Sequence, residues 1–258
     1  MKTISHHLGD FNEIRILPLA DLHLGDINVD FKKIQGWLEE IKSNPNTFAI
    51  LNGDLMDAAI KGSVGDTYGA SLQPMEQLHQ CVKLFEPIKD KILAVMPGNH
   101  EARIYRSDGL DLTAIMCSQL GIGERYSPAS ALIFVRFGRN RCEGMHGREM
   151  HYTIYCVHGS GGGKREGAKL QRVVDLSSII DADIYVHSHT HMPLIAKASY
   201  FRVTMNNSTV QKVDKLFINT GSAMNYGGYG ETQSYRHAAN ETPVIVLDGT
   251  RRGMKAVL

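Results

Sequence analysis

The stretch "YCVHGSGGGKREG", residues 155–167, sets a glycine run and a lysine directly behind an apolar strand. Read as a phosphate-binding loop, it would make the chain a nucleotide-binding protein of the P-loop type. That loop requires G-x-x-x-x-G-K-[ST]. Counting back from Gly163-Lys164, the first glycine would have to stand where His158 stands, and the lysine is followed by Arg165. The pattern fails at both ends. What the strand delivers at its end is a histidine, so the useful question is what the other strands deliver at theirs.

Working outward, short aliphatic runs alternate with helical stretches. Residues 13–21, 47–54 and 91–100 read as strands, and 31–42, 72–89 and 110–121 as helices, the first with apolar spacing at Ile34, Leu38 and Ile41 and the second ended near Pro87. Pro18 argues for an edge position or an irregularity in the first of these strands. The second half is richer in strands (130–137, 150–159, 183–191, 193–203, 213–222 and 242–249), with one helix expected over 167–181. Alternating strands and helices followed by extra strands give an α/β protein whose sheet becomes mixed towards its C-terminal half. With no repeat or linker, the 258 residues are expected to form one domain over 1–258.

The ends of the strands carry the chemistry. The first runs into Asp21 and His23, the second into Asp54 and Asp57, and the third into Asn99, His100 and Glu101. Two later ones run into His158 and into His187, His189 and His191. In α/β sheets, ligands collect in the crevice outside the carboxyl ends of strands. Each fragment alone is ordinary turn chemistry, since Asp, Asn and Gly satisfy turn backbones unaided. The set is not so easily dismissed. If 187–191 is extended, its alternate imidazoles point the same way and converge. Carboxylate, imidazole and amide oxygen without thiolate suit Mn²⁺ first, with Fe or Zn²⁺ as alternatives. The donors exceed what one ion can use, which points to two divalent metal ions and to in-line phosphoester hydrolysis.

Composition is permissive. The chain is 43% hydrophobic and 21% charged with a net charge of +1, so no global field advertises nucleic acid or a membrane. Four cysteines without CxxC spacing, no secretory signal in the first residues and no membrane-length apolar run give a cytoplasmic protein as the expectation.

In order, "DLH" (21–23), "GDLMD" (53–57), "GNHE" (98–101), "VHG" (157–159) and "SHTH" (188–191) resemble the signature of calcineurin-like metallophosphoesterases. Compact, and with "GNHEAR" (98–103) and a glycine-rich stretch after "HG" (158–159), the chain is also similar to phosphoesterases carried by bacteriophages and prophages. The resemblance implies a four-layer αββα sandwich of two mixed sheets flanked by helices. It implies that Asp21, His23 and His191 hold one metal and Asn99, His158 and His189 the other, with Asp54 bridging. His100 would protonate the leaving group, Asp57 would orient it, and a hydroxide at the binuclear centre would attack phosphorus. One departure is Ser188, where the family usually has glycine; a serine must fit that turn. His187 is extra to the pattern and reads as a supporting residue.

The substrate is less legible. Retention of His100 favours esters with poor alkoxide leaving groups, and both phosphodiesters and phosphomonoesters qualify; with no adjacent pair of arginines flanking the metal motifs to grip a monoester dianion, phosphodiesters of the nuclease or nucleotide type are the leading reading. A phosphomonoesterase or protein phosphatase is the alternative, and a non-catalytic metal-bound scaffold a more distant one. Arg103 is a candidate phosphate clamp. Arg136, Arg139, Arg141 and Arg148, with Lys164, Arg165, Lys169 and Arg172, could track a nucleic-acid backbone, and the Gly/Tyr stretch 225–237 could stack a base. Solvated surface and plain loops explain these equally well.

Overall fold

A computed structural model describes residues 1–61, 70–138, 149–161, 163, 165–227, 231 and 241–258. Its strands are β1 (Lys2–His7), β2 (Glu13–Leu19), β3 (Thr47–Asn52), β4 (Ile92–Met96), β5 (Ser130–Phe137) and β6 (Met150–Val157), then β7 (Ile184–His187), β8 (Leu194–Thr204), β9 (Thr209–Asn219), β10 (Val244–Asp248) and β11 (Met254–Val257). Helices α1 (Phe31–Ser43), α2 (Pro74–Phe85), α3 (Glu101–Asp108), α4 (Leu112–Gln119) and α5 (Glu166–Asp175) connect them. One sheet runs β1-β5-β6-β7-β9-β8 and the other β11-β10-β2-β3-β4. Both mix parallel and antiparallel pairs.

Period-two alternation builds the layers. In β2, Ile14 and Ile16 face the other sheet while Leu17 and Leu19 face helices; in β3, Phe48 and Ile50 divide from Ala49 and Leu51 in the same way. The helix-side core takes in Ile34 and Ile41 of α1, Leu78 and Phe85 of α2, and Met116 of α4. Across the sandwich, Ile154, Cys156, Ile184 and Val186 complete the inter-sheet core, and Tyr155, Tyr185 and Phe217 turn outward to Val173 of α5. The order is helices, sheet, sheet, helix, which is the expected αββα sandwich.

Two local expectations need correction. Pro18 is not on an edge, because β2 is the central strand of its sheet. Arg15 donates its N–H to Asn46 on the β3 side, so Pro18, three residues on, turns its nitrogen the other way. There β10 pairs with β2 only up to Ile16, and no ladder bond is lost. The helix expected to end near Pro87 does so, closing at Phe85 and continuing as a 3₁₀ turn over Glu86–Lys91, where Pro87 cannot donate. The strand over 183–191 ends at His187. Among the described residues, no helix is long and apolar enough to cross a membrane.

Candidate metal centre

Strands β2, β3 and β4 are parallel neighbours, as are β6 and β7, so the loops leaving their C-terminal ends meet along one edge of the sandwich. The loops after β2 and β3 are laced together: Asp21 N–H donates to the Gly53 carbonyl at 3.0 Å and His23 N–H to that of Asp54 at 3.0 Å. Room is tight. A Cβ on Gly98 would fall 2.1 Å from an Asp54 carboxylate oxygen, so only glycine lets the loop after β4 pass there.

The side chains gather in overlapping groups. Asp21, His23 and His191 bring donor atoms within 4.8 Å of one another, Asp54, His158 and His189 do the same, and His23, Asp54 and His100 form a third set that links the two. His23 and His191 approach nitrogen to nitrogen at 3.1 Å, and Asp21 Oδ1 is 3.4 Å from His191 Nε2. In the second group His158 Nε2 lies 3.1 Å from Asp54 Oδ2 and 3.2 Å from Asn99 Oδ1. His100 Nε2 is 3.9 Å from Asp54 Oδ2 and its ring meets that of His23 edge-on, so Asp54 stands between the groups.

Backbone strain is concentrated here. Among the described residues, seven non-glycine residues have positive φ, and Asp21 (54°), His23 (49°), Asp54 (51°), His189 (68°) and His191 (53°) are five of them. The left-handed region costs an L-residue roughly 1–2 kcal/mol, and such outliers persist where surrounding structure imposes them, often at functional sites. The convergence expected for an extended 187–191 is therefore reached differently. His189 and His191 leave a left-handed turn and enter separate groups, and His187 enters neither.

Two buried atoms, Asp21 Oδ1 and His189 Nδ1, have no hydrogen-bond partner. Unsatisfied buried donors and acceptors are costly, and both atoms belong to residues of the groups that could hold a cation. Carboxylate, imidazole and amide donors fit a pair of divalent cations. The electrostatics agree. Burial would push the His158 imidazole down, but Asp54's charge and hydrogen bond draw it up to about 10. The Asp54 carboxyl, which burial would raise, is held well below its ordinary value by the same partner. His23 is pushed well below its ordinary value, first by burial and then by the neighbouring imidazoles of His100 and His191.

Around the groups, His100 turns Nδ1 to the Asp57 carbonyl at 2.8 Å and to its carboxylate at 3.1 Å. Arg103 places Nη2 2.9 Å from His100 Nε2, while its Nη1 is buried without a partner. His187 is turned away: Nδ1 meets Asn219 Oδ1 at 2.9 Å, and its ring lies so close to Gly159 that a Cβ there would fall 2.1 Å from Nε2. The glycine after His158 thus makes room for His187. Ser188 is not the strained residue of its turn. It is fully buried, and its hydroxyl accepts a hydrogen bond from Asn52 Nδ2 at 2.6 Å.

Arg136 is exposed at the far end of β5, opposite His151. Six residues of β6 separate that register from Val157, roughly 20 Å at about 3.3 Å per residue, which removes Arg136 from the site. Lys169 is buried and donates to the Thr190 carbonyl at 3.0 Å, between His189 and His191. Arg139, Arg141, Arg148 and Lys164 lie outside the described residues, as do 228–230 and 232–237 of the Gly/Tyr stretch.

The residue that sequence reasoning undervalued is Glu101. Its buried carboxylate accepts four backbone N–H groups: Leu55 (2.7 Å) and Met56 (2.9 Å) on Oε1, Asp54 (3.1 Å) and Gly98 (2.8 Å) on Oε2. One side chain thereby fixes both the loop that carries Asp54 and the loop that carries Asn99. Asn52 is similar in kind: it donates to the Val157 carbonyl at 3.0 Å and its own carbonyl meets His158 Nδ1 at 2.8 Å, joining the two sheets behind the site.

Comparison with curated proteins finds no match. A model of the calcineurin-like phosphoesterase family matches residues 14–214, a span that begins within β2 and takes in every strand end of the site. The chain belongs to the calcineurin-like phosphoesterases, metal-dependent hydrolases of phosphate esters.

Proposed function

We propose that the chain is a phosphodiesterase acting on nucleotide or nucleic-acid substrates at a two-metal centre. Asp21, His23 and His191 would hold one cation and Asn99, His158 and His189 the other, with Asp54 shared between them and Mn²⁺ the first candidate. Bound, the cations would supply positive charge for the phosphate oxygens and lower the pKa of water.

The observation that carries the esterase reading is the placement of His100, and the preference for diesters is supported by the lack of an adjacent arginine pair flanking the metal motifs. Its Nδ1 is occupied by Asp57, which fixes the ring and the tautomer and leaves Nε2 directed at the shared carboxylate side of the site. Protonated at Nε2 as well, as an imidazolium, a ring held in this way can deliver that second proton to a departing alkoxide, the step that matters most for a poor leaving group. Arg103 occupies Nε2 with one arm and has a second, unpaired arm beside it. A phosphate oxygen is the natural partner for that fork, and by drawing the guanidinium over, the substrate would free Nε2 for proton transfer. The discriminating experiment compares bis-p-nitrophenyl phosphate with p-nitrophenyl phosphate in Mn²⁺. Preference for the diester is expected. Preference for the monoester would assign the site to phosphomonoesters instead, and turnover of neither with any divalent ion would sink the enzymatic reading.

A further inference from the structure

The glycine run after His158 fails as a P-loop, yet two of its glycines are required by what lies against them. Gly159 makes room for the His187 ring. Gly161, with a φ of 90°, makes room for Arg172 of α5: a Cβ there would fall 2.4–2.6 Å from Nη2, Cζ and Nη1. The guanidinium therefore lies directly against the main chain three residues beyond a proposed metal ligand. Three residues of chain span at most about 11 Å, so Arg172 borders the centre.

Helix geometry brings it there. Lys169 and Arg172 are three residues apart and share one flank of α5. Lys169 donates to the Thr190 carbonyl at 3.0 Å, while Val173, one position on from Arg172, is packed in the core with Tyr185. The same flank of α5 thus touches the turn that carries His189 and His191 and the loop that follows His158.

The hydrogen bonding of Arg172 is incomplete. Two other half-buried arginines meet acceptors: Arg15 meets Glu40, and Arg125 meets the Lys89 and Ile92 carbonyls. Half-buried Arg172 meets none among the described residues, and its Nε is buried without a partner. Asp175, three residues on in the same helix, is engaged by Gln171 instead, at 2.5 Å. Donors withdrawn from water without an acceptor are costly, and the planar guanidinium fork matches a phosphate.

Position decides which phosphate. Arg103, with its own unpaired arm, arrives on α3 behind β4 and stands beside His100. Arg172 arrives on α5 behind β6, from the other sheet, two residues along from the glycine that His187 covers. A diester with a single phosphate offers an anion to one of these flanks. A substrate with a second phosphate offers one to each.

Resting on the two-metal phosphodiesterase reading, we propose that Arg172 is a substrate-binding residue that holds a second, non-reacting phosphate beside the one at the cations. Two phosphates on one substrate have two sources, adjacent positions of a polynucleotide strand or the contiguous phosphates of a nucleoside polyphosphate. Calorimetry in excess Mn²⁺ compares thymidine 5′-phosphate, thymidine 3′,5′-bisphosphate and thymidine 5′-diphosphate on the parent, Arg172→Gln and Arg172→Lys. At least one two-phosphate compound should bind the parent about ten-fold or more tighter than the monophosphate, the scale of one hydrogen bond to a charged group. Arg172→Gln should bring that ratio to within about two-fold of unity, and Arg172→Lys should keep part of it. A gain for the bisphosphate identifies a strand; a gain confined to the diphosphate identifies a nucleoside polyphosphate. A parent with no gain overturns the proposal. So does a gain that Arg172→Gln leaves intact, or a variant that weakens all three compounds equally, which would make the arginine structural. Turnover of bis-p-nitrophenyl phosphate by the parent tests the diester chemistry separately. Its absence with the ratio intact sinks that chemistry and leaves the subsite, and its presence without the ratio sinks the subsite alone.

Discussion

Replacing Glu101 separates the two loops of the site without touching a single proposed ligand. The carboxylate accepts four N–H groups, two on each oxygen, at 2.7–3.1 Å, in a fully enclosed position. Hydrogen bonds to a charged group contribute about 1.5–3 kcal/mol each, and a buried N–H left without a partner costs about 1–3 kcal/mol. Those four bonds are not independent, and a water molecule can restore part of the loss in a truncated side chain. For Glu101→Ala the expected destabilisation is therefore about 3–5 kcal/mol, or a fall of about 10 °C in melting temperature for a chain of this size. Glu101→Gln is the sharper test, since it keeps the shape but turns an NH₂ towards two N–H donors. It should cost about 2–4 kcal/mol, with a larger loss of metal affinity than of fold, because the disturbed amides belong to Asp54 and to the loop carrying Asn99. The assay pairs urea unfolding with Mn²⁺ titration by calorimetry. A Glu101→Gln protein that unfolds within 0.5 kcal/mol of the parent (roughly the scatter of neutral surface changes) and binds Mn²⁺ equally well would refute the view that this carboxylate organises the centre.

Three further substitutions address the site itself. Asp54→Ala should reduce bound Mn²⁺ from two per chain to one or none and abolish turnover, and substantial activity would contradict a shared ligand at this position. His100→Ala should retain both ions while turnover of substrates with poor leaving groups falls by about 10²–10⁴-fold; loss of an ion, measured by metal analysis after gel filtration, would make His100 a ligand. Ser188→Gly restores the glycine usual in the family but strips Asn52 of its partner hydroxyl, so it should cost about 1 kcal/mol in unfolding free energy, and a stabilised variant would show that the serine is merely tolerated.

Most of the site could be read in the chain because its residues sit in the first turn after strands that announce themselves by period. "TFAILNGD" and "KILAVMPGNH" are buried runs stopped by glycine, and the position of Asp54 or Asn99 follows from the stop. What escaped reading depends on facts that sequence periodicity does not carry. Pro18 argues for an edge or an irregularity because the rule concerns a missing N–H, while the direction in which its nitrogen faces and the length of the β10 ladder are tertiary. The histidines of 187–191 could be grouped, but not their left-handed turn, since a residue with a Cβ is expected to avoid that region. Glu101 looks like any acidic residue in the first turn of a helix. Only the close packing of two loops from neighbouring strands turns it into a buried acceptor. Strands β1 and β11 went unread because "KTISHH" and "MKAV" are short and partly polar, and they become strands by pairing with β5 and β10.

The claim on which everything else depends is a pair of cations flanking Asp54. Crystals grown in Mn²⁺ and measured near the manganese absorption edge test it without recourse to activity. The account predicts two anomalous peaks, one among Asp21, His23 and His191 and one among Asn99, His158 and His189, with the Asp54 carboxylate touching both. A single peak, or a second ion held away from Asp54, would contradict it.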